Sequence, residues 1–235
     1  MASKVGVLYS GGKDSTYAAY LAQRQGHSLS CFITIKPESS ESYLFHYPNV
    51  GWTRLQAEAI GVPLMTAEIK QVGEGEAYDL DEVLEAAKTQ HGFEGLVTGG
   101  LASQYQKDRF EKACVRVGLT PVSPLWQVDP EVYMRSIVRD GFKVIVTGVA
   151  AEGLTEAWLG RVIDEAMVDE LVKLHRRVGV HIGFEGGEAE TFVLDCPLFK
   201  RRIEVLDAVR HWFGDRGFLE IRDAQLVDKG VVQKS

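Results

Sequence analysis

The 235-residue sequence has few of the features that mark several common protein classes. It contains three cysteines, Cys31, Cys114 and Cys196, and no Cys-x-x-Cys pair. This spacing supports neither a disulfide framework nor a zinc site. The six histidines are scattered along the chain. We therefore expect no transition metal held by protein side chains.

Long apolar runs and an excess of positive charge are also missing. No apolar stretch is as long as a membrane span, and the sequence Met-Ala-Ser-Lys at the start leads into a strand-like run rather than a signal peptide. We expect a cytoplasmic protein without membrane contacts. The formal net charge of −7 disfavours a broad nucleic-acid-binding surface, so we expect no nucleic acid partner.

The first 150 residues alternate between strand-like and helix-like segments. Apolar runs predict strands near residues 4–9, 29–35, 62–69, 94–98 and 142–149. Between them, helices are predicted near residues 14–25, 50–60, 79–91, 101–117 and 130–140. This alternation predicts an α/β fold with a doubly wound, mainly parallel sheet, whose ligands bind at the carboxyl ends of the strands.

The pattern changes after residue 150. A helix is predicted near residues 164–178, followed by strands near 190–195, 201–212 and 217–228. Glycines 214 and 217 predict a hairpin between the last two strands. We therefore divide the chain into a first domain of residues 1–150 and a smaller C-terminal α+β region of residues 151–235, which we expect to bind the substrate.

One short stretch dominates the sequence, namely Val5-Gly-Val-Leu-Tyr-Ser-Gly-Gly-Lys-Asp-Ser15. It predicts a strand, a glycine turn and the start of a helix. Gly11 and Gly12 allow the main chain to approach a ligand, and the first N–H groups of the helix favour an anion. Ser10, Lys13 and Ser15 add hydrogen-bond donors, whereas Asp14 can cap the helix or hold a metal ion. The spacing fits neither a Walker P-loop nor a dinucleotide-binding fingerprint.

Two further segments are predicted at the same edge of the sheet. The first is Gly99-Gly-Leu-Ala-Ser-Gln-Tyr-Gln106, in which Ser103, Tyr105 and Gln106 fall near the start of a helix and can bind ribose, phosphate or substrate. A helix cap with exposed polar residues has the same pattern. The second is the aromatic loop of residues 38–48, which contains Tyr43. It fits a lid over the ligand and a plain surface loop equally well.

A concentrated acidic motif lies near the C-terminal region, Glu185-Gly-Gly-Glu-Ala-Glu-Thr191. Three carboxylates this close repel one another unless a cation relieves them. The motif therefore indicates a site for a metal or a positively charged substrate. A flexible acidic loop before a strand is the alternative interpretation.

Together these motifs resemble a known family. The Ser10-Gly-Gly-Lys-Asp-Ser15 turn resembles the PP-loop of the ATP pyrophosphatases. This resemblance implies that the domain of residues 1–150 binds ATP. With Gly100-Leu-Ala-Ser-Gln-Tyr-Gln106, Pro124-Leu-Trp126, Leu159-Gly-Arg161 and the motif from Glu185 to Thr191, the turn resembles the diphthine–ammonia ligase family. The resemblance covers roughly residues 4–199 and implies a Rossmann-like fold of the adenine nucleotide alpha hydrolase type. It also implies that the substrate is diphthine, the modified histidine of translation elongation factor two.

The resemblance implies roles for individual residues. It assigns catalysis to Lys13, Asp14 and Glu188. ATP and the leaving pyrophosphate are assigned to Ser10, Gly11, Gly12, Lys13, Asp14, Ser15, Gly99, Gly100 and Ser103. Substrate binding is assigned to Tyr43, Tyr105, Gln106, Trp126, Arg161, Glu185, Gly186, Gly187, Glu188, Glu190 and Thr191. Magnesium is expected to arrive with ATP, and Asp14 is the one side chain considered as its ligand.

Two positions depart from the family pattern. Family members usually have Gly-Glu-Gly-Gly-Glu followed by an aromatic residue, whereas this chain has Phe184 in place of the first glycine and Ala189 in place of the aromatic. An aromatic ring is thus lost on one side of the motif and gained on the other. The gained ring can cover the same pocket.

The implied reaction is the amidation of a carboxylate through an acyl-adenylate, with release of AMP and pyrophosphate. The chain has no room for a glutaminase module, so free ammonium is the expected nitrogen donor. Two alternatives remain, a PP-loop enzyme that modifies transfer RNA and a non-catalytic protein that binds ATP or AMP. A homodimer is one arrangement that the sequence allows.

Overall fold

The computed structural model describes residues 2–37, 49–69 and 75–230. Within these ranges the chain forms two sheets with helices packed around them. The first sheet is parallel and follows the alternation seen in the sequence. The second is antiparallel and contains most of the strands from the C-terminal part of the chain.

The parallel sheet has five strands: β1 (Lys4–Leu8), β2 (Ser28–Pro37), β3 (Leu64–Ile69), β4 (Gly95–Val97) and β5 (Thr120–Val122). Their spatial order is β3-β2-β1-β4-β5, and all four pairings are parallel. The chain order reverses between β1 and β4, which is where ligands bind in open α/β sheets. This confirms the predicted doubly wound α/β fold.

Among the described residues, four helices belong to this half of the chain: α1 (Lys13–Arg24), α2 (Thr53–Ile60), α3 (Gly75–His91) and α4 (Gln104–Val117). A short 3-10 helix, Val50–Trp52, precedes α2. Buried residues of α3 and α4, including Leu84 and Cys114, form one core cluster with Ile33 and Leu96 of the sheet. Residues of α1 and α2 belong to a second, larger cluster that continues into the antiparallel sheet.

The antiparallel sheet contains β6 (Lys143–Val149), β7 (Ala189–Asp195), β8 (Arg201–Trp212) and β9 (Gly217–Asp228) in the order β7-β6-β9-β8. Two helices accompany it, α5 (Pro130–Arg139) and α6 (Glu165–Val178), together with the 3-10 helix Glu156–Trp158. The predicted hairpin is confirmed, because Trp212 and Gly217 pair across the turn between β8 and β9.

The helix boundaries follow from local signals. Asp129 and Asp164 are the N-cap residues of α5 and α6, and their carboxylates accept hydrogen bonds from Val132 N (2.9 Å) and Met167 N (2.8 Å). Such caps satisfy main-chain donors that the first helical turn leaves free. Gly179 ends α6 in the left-handed conformation (φ +81°), which glycine adopts without steric cost.

One strand prediction is wrong. The apolar run near residues 142–149 was expected to continue the parallel sheet, but β6 pairs antiparallel with β7 and β9. A run buried on both faces has the same appearance in the centre of either kind of sheet. The actual fifth parallel strand is the short β5, which no prediction included. The division of the chain at residue 150 stays a prediction.

Candidate active site

The glycine turn between β1 and α1 has the predicted local structure. Gly11 has φ of +82°, and Gly12 is the N-cap residue of α1. The hydroxyl of Ser15 accepts a hydrogen bond from Ser10 N (3.2 Å) and lies 3.2 Å from Ser10 Oγ. The hydroxyls of Ser10 and Ser15 thereby close the turn and place its main-chain N–H groups at the start of α1.

Strand β7 of the other sheet lies directly against this turn. Thr191 Oγ1 accepts a hydrogen bond from Lys13 N (3.1 Å), and Val193 N donates to Gly11 O (3.1 Å). A Cβ atom on Gly12 would lie 3.3 Å from both oxygens of Thr191. The absence of a side chain at Gly12 therefore lets the two chain segments approach each other closely.

Gln56 of α2 joins the same two segments from a third side. Its side chain is 0% exposed, and Nε2 donates to Gly11 O (2.9 Å) and to Val193 O (2.8 Å). Gln56 Oε1 is buried without a hydrogen-bond partner in the described ranges. It faces Gly11 on the side where a Cβ atom would lie, so the Cα–H group of Gly11 is its neighbour. Any side chain at residue 11 would collide with Gln56 and would also strain the backbone.

The first turn of α1 carries an ion pair in which the lysine is buried and the aspartate is partly exposed. Lys13 is 2% exposed, and its Nζ lies 3.0 Å and 2.9 Å from the two carboxylate oxygens of Asp14. Tyr133 of α5 donates its hydroxyl to Asp14 Oδ1 (2.7 Å). The interpretation of Asp14 as a helix cap is wrong, because the side chain bonds to Lys13 and Tyr133 and the turn is bonded by Thr191 instead. A buried charge of this kind requires its partner.

Phe184 provides an unusual wall beside Lys13. Its φ of +59° lies in the left-handed region that favours glycine, and the side chain is buried. Lys13 Nζ lies 5.4 Å from the centroid of its ring, within the range of a cation–π contact. The aromatic residue that replaces the family's glycine thus contacts the predicted catalytic lysine, at the cost of a strained backbone.

The end of β4 crosses the start of α1. A Cβ atom on Gly99 would lie 2.7 Å from the carbonyl carbon of Asp14 and 2.8 Å from Ser15 N. Only glycine fits this crossing, so the immediate role of Gly99 is close packing. For Gly100, by contrast, no atom of the described residues would lie within 4 Å of a Cβ atom.

Two of the three acidic residues of the 185–190 motif are bonded to main-chain N–H groups. Glu185 Oε1 accepts from Leu101 N (3.3 Å), Ala102 N (3.0 Å) and Ser103 N (3.1 Å), just before α4 begins. Glu188 accepts from His181 N (3.0 Å) and from Gly186 N (2.8 Å) through its two oxygens. These carboxylates therefore shape the loops on either side of the site.

Glu190 differs from the other two. It lies on β7 opposite Gly148 of β6, and its Cβ and Cγ atoms are 3.0 Å and 3.2 Å from the position of a Gly148 Cβ. Burial raises the pKa of the Glu190 carboxyl to about 7, while Lys13 opposes this shift and Asp14 adds to it. The carboxyl therefore changes its charge near neutral pH.

Several predicted substrate residues form no hydrogen bond, ion pair or ring contact with the glycine turn or with the 185–190 motif among the described residues. Tyr105 is 75% exposed, and Trp126 packs beneath Lys107, whose Nζ lies 4.4 Å from the indole centroid. Arg161 pairs with Glu170 (2.7 Å) and stacks on Trp158. Tyr43 and the side chain of Gln106 lie outside the described residues. The substrate-binding roles of Tyr43, Tyr105, Gln106, Trp126 and Arg161 stay predictions.

Sequence reasoning missed Gln56 and Tyr133. Gln56 had a detectable signal, because it is a polar residue beside Leu55 and Ile60 on the apolar face of a short helix. Tyr133 had no such signal, because a tyrosine on the buried face of a helix is common in hydrophobic cores. Neither residue is near the glycine turn in sequence.

Two negative findings apply to the ranges 2–37, 49–69 and 75–230. No group of three or more histidine, cysteine, aspartate or glutamate side chains there is arranged to hold a metal ion. No helix there combines the length and the apolar character that crossing a membrane requires.

Comparison with known proteins matches both halves of the chain to one family. Residues 3–121 match the diphthamide synthase N-terminal domain, and residues 129–227 match the diphthamide synthase C-terminal domain. A solved structure described as a predicted subunit of tRNA methyltransferase from Methanocaldococcus jannaschii has a TM-score of 0.41 and 19% identity, over 66% of this chain and 83% of that chain. A likeness of that size carries no argument.

Two mammalian relatives are similar over most of their length. A diphthine–ammonia ligase of Mus musculus is 37% identical over 229 residues, covering 88% of this chain and 85% of that protein. The Homo sapiens diphthine–ammonia ligase is 33% identical over 250 residues, covering 96% and 93%. With both domain matches and the glycine turn bonded to the acidic motif's strand, the chain belongs to the diphthine–ammonia ligase family.

Proposed function

We propose that this protein amidates the carboxylate of diphthine on translation elongation factor two, using ATP and ammonium and releasing AMP and pyrophosphate. Membership of the family supports this activity. The observation that carries the proposal is the hydrogen bond from Lys13 N to Thr191 Oγ1. It joins a phosphate-binding type of turn to the acidic motif, so that a nucleotide and a cationic substrate would meet in one site.

The glycine turn suits the phosphates of ATP. Its main-chain N–H groups and the hydroxyls of Ser10 and Ser15 lie at the N-terminus of α1, where partial positive charge favours anions. Magnesium bound to ATP would neutralise charge on the leaving pyrophosphate. Both oxygens of Asp14 are already bonded to Lys13, so this carboxylate positions the lysine in the structure as it stands.

Activation by ATP gives the carboxylate a leaving group that ammonia can displace. A carboxylate does not react with ammonia at neutral pH, because an oxide would have to leave. Attack of the carboxylate on the α-phosphate gives an acyl-adenylate, from which AMP leaves readily. In this scheme Lys13 stabilises charge that develops on the phosphates, while the turn fixes their position.

The acidic motif suits the other substrate. Diphthine carries a permanent trimethylammonio cation, and the cluster of Glu185, Glu188 and Glu190 is a region of negative charge. Main-chain N–H groups hold the carboxylates of Glu185 and Glu188 in fixed positions. The motif therefore presents a defined negatively charged surface. Elongation factor two would therefore approach from the side of β7.

The proposal is tested by incubating diphthine-bearing elongation factor two with the protein, ATP labelled at the α-phosphate, and ammonium. We expect mass spectrometry to show conversion of the carboxylate into an amide, with AMP formed in equal amount. Omitting ammonium should abolish the amide. If ADP is the sole labelled product, or if the factor stays unmodified while AMP accumulates only from slow hydrolysis, the proposal is wrong.

A further inference from the structure

The amide-forming step needs a proton acceptor. Ammonium has no lone pair, so it cannot attack an acyl carbon until it has lost a proton. A side chain that accepts this proton must be close to the glycine turn and must have a free oxygen or nitrogen. The three carboxylates of the 185–190 motif are the candidates. Their hydrogen bonds show which of them can take up a proton.

Glu185 and Glu188 are poorly suited to take up a proton. Each would have to be protonated while it accepts main-chain hydrogen bonds, three for Glu185 and two for Glu188. Hydrogen bonds to the charged form of a carboxylate stabilise that form. These two residues are therefore positioned to stay ionised and to hold the surrounding loops.

The carboxylate of Glu190 makes no hydrogen bond or ion pair within the part of the chain that the structure describes, although its main chain pairs with β6. Its side chain crosses the space left by Gly148, which has no side chain of its own. The adjacent residue, Thr191, is bonded to Lys13 N at the start of α1. Lys13 and Asp14 on that helix are the charged groups that act on Glu190. The carboxyl is thus within electrostatic range of the first turn of α1, and its oxygens are uncommitted among the described residues.

We propose that Glu190 is the general base that removes a proton from ammonium during amide formation. The inference rests on the proposed function. One N–H bond of ammonium breaks as an O–H bond forms on Glu190, and the nitrogen lone pair attacks the acyl carbon of the adenylate. The bond from that carbon to the phosphate oxygen breaks, and its electron pair leaves with AMP. The new nitrogen substituent then loses its extra proton to water.

The electrostatics of the site agree with this role. Burial raises the pKa of Glu190 to about 7, and a base is most effective when its pKa is near the working pH. A neighbouring Lys13 keeps a fraction of the carboxyl ionised at neutral pH. A carboxylate with an ordinary pKa would be a much weaker base toward ammonium.

The test uses two nucleophiles with the same acyl-adenylate. Hydroxylamine is mostly uncharged at neutral pH and attacks without a base, giving a hydroxamate. For Glu190→Gln we expect the rate with ammonium to fall by about 10²- to 10⁴-fold, and the rate with hydroxylamine by less than about tenfold. Exchange of labelled pyrophosphate into ATP reports adenylation, in which ammonium takes no part, so its rate should also fall by less than about tenfold.

Controls separate the base from other roles. Glu85→Gln changes the charge at an exposed position of α3 and should leave both rates unchanged. Glu190→Asp keeps an acid with a shorter reach and should give an ammonium rate between those of the wild type and Glu190→Gln. An equal loss with both nucleophiles means that Glu190 binds the substrate cation, and an undiminished ammonium rate means that it is not the base. Either result overturns the inference. If the wild-type protein forms neither amide nor hydroxamate, the proposed function itself is wrong.

Discussion

The two sheets meet at the glycine turn, but they contribute to it in different ways. The parallel sheet supplies the turn itself, because β1 ends at Leu8 and α1 begins at Lys13. The antiparallel sheet supplies the bonds that hold the turn in place, through Thr191 and Val193 of β7. Gln56 belongs to the first half of the chain and bonds to both.

This difference separates the residues that would meet the nucleotide from those that position them. The donors at Ser10, Lys13 and Ser15 lie within one short segment, as in a local motif. The acceptors and donors that fix this segment come from elements far along the chain. The local motif therefore has its final geometry only when the antiparallel sheet is docked, and three substitutions test how strongly this docking matters.

The largest effect is expected for Gln56→Glu. The new oxygen would replace Nε2 and face the carbonyl groups of Gly11 and Val193, leaving both acceptors unpaired beside a buried acid. Each unsatisfied buried group costs about 1–3 kcal/mol, so we expect the free energy of unfolding to fall by about 3 kcal/mol or more. Urea denaturation measures the loss, and calorimetric titration with ATP measures the loss of affinity.

Gln23→Glu is the matched control for this substitution. It makes the same chemical change at an exposed position of α1, where surface substitutions usually stay within about 0.5 kcal/mol. Wild-type stability and ATP affinity in Gln56→Glu would show that the turn does not depend on the second sheet.

A smaller effect is expected for Glu188→Gln, which separates the acidic motif from the turn. An amide has one acceptor oxygen, so either His181 N or Gly186 N loses its partner. We expect a stability loss of about 1–2 kcal/mol and a tenfold to hundredfold loss of amidation efficiency, about 1.4 kcal/mol for each factor of ten. The KM for ATP in pyrophosphate exchange should stay the same.

Glu152→Gln, at an exposed position, should leave all these quantities unchanged. A loss of ATP binding in Glu188→Gln, with Glu152→Gln normal, would mean that the acidic motif supports the nucleotide site directly.

The smallest effect is expected for Thr191→Val, which removes a single acceptor. Lys13 N would lose its bond to Thr191 Oγ1, at a cost of about 1 kcal/mol. We expect a KM for ATP that rises severalfold with little change in the melting temperature. Thr191→Ser retains the hydroxyl and should behave like the wild type. An equal change in Thr191→Ser, which still has the hydroxyl, would mean that the bond to Lys13 N is not what supports ATP binding.

Parts of this arrangement could be predicted from the sequence. The glycine turn was predicted correctly because its residues are consecutive and their conformational needs are local. The strands β7, β8 and β9 were also predicted closely, since alternation and the glycine hairpin define them. The resemblance of the motifs indicated the family, which the comparisons confirm.

Other parts depended on contacts that no local pattern contains. The bond between Lys13 and Thr191 joins residues 178 positions apart. Glu185 and Glu188 looked alike in sequence to Glu190, and only the positions of N–H groups on neighbouring loops distinguish them. The pairing of β6 was predicted wrongly because apolar burial does not reveal the direction of the neighbouring strands.

The bonds from β7 to the glycine turn also order events during synthesis. Ribosomes deliver the chain from its N-terminus, so residues 10–15 emerge early and their partners, Thr191 and Val193, emerge much later. Until then, the turn cannot contact β7, and Lys13 N has no acceptor from Thr191. The nascent chain would therefore gain nucleotide affinity abruptly, once β7 has left the exit tunnel, and arrested chains ending before and after β7 would differ in ATP retention.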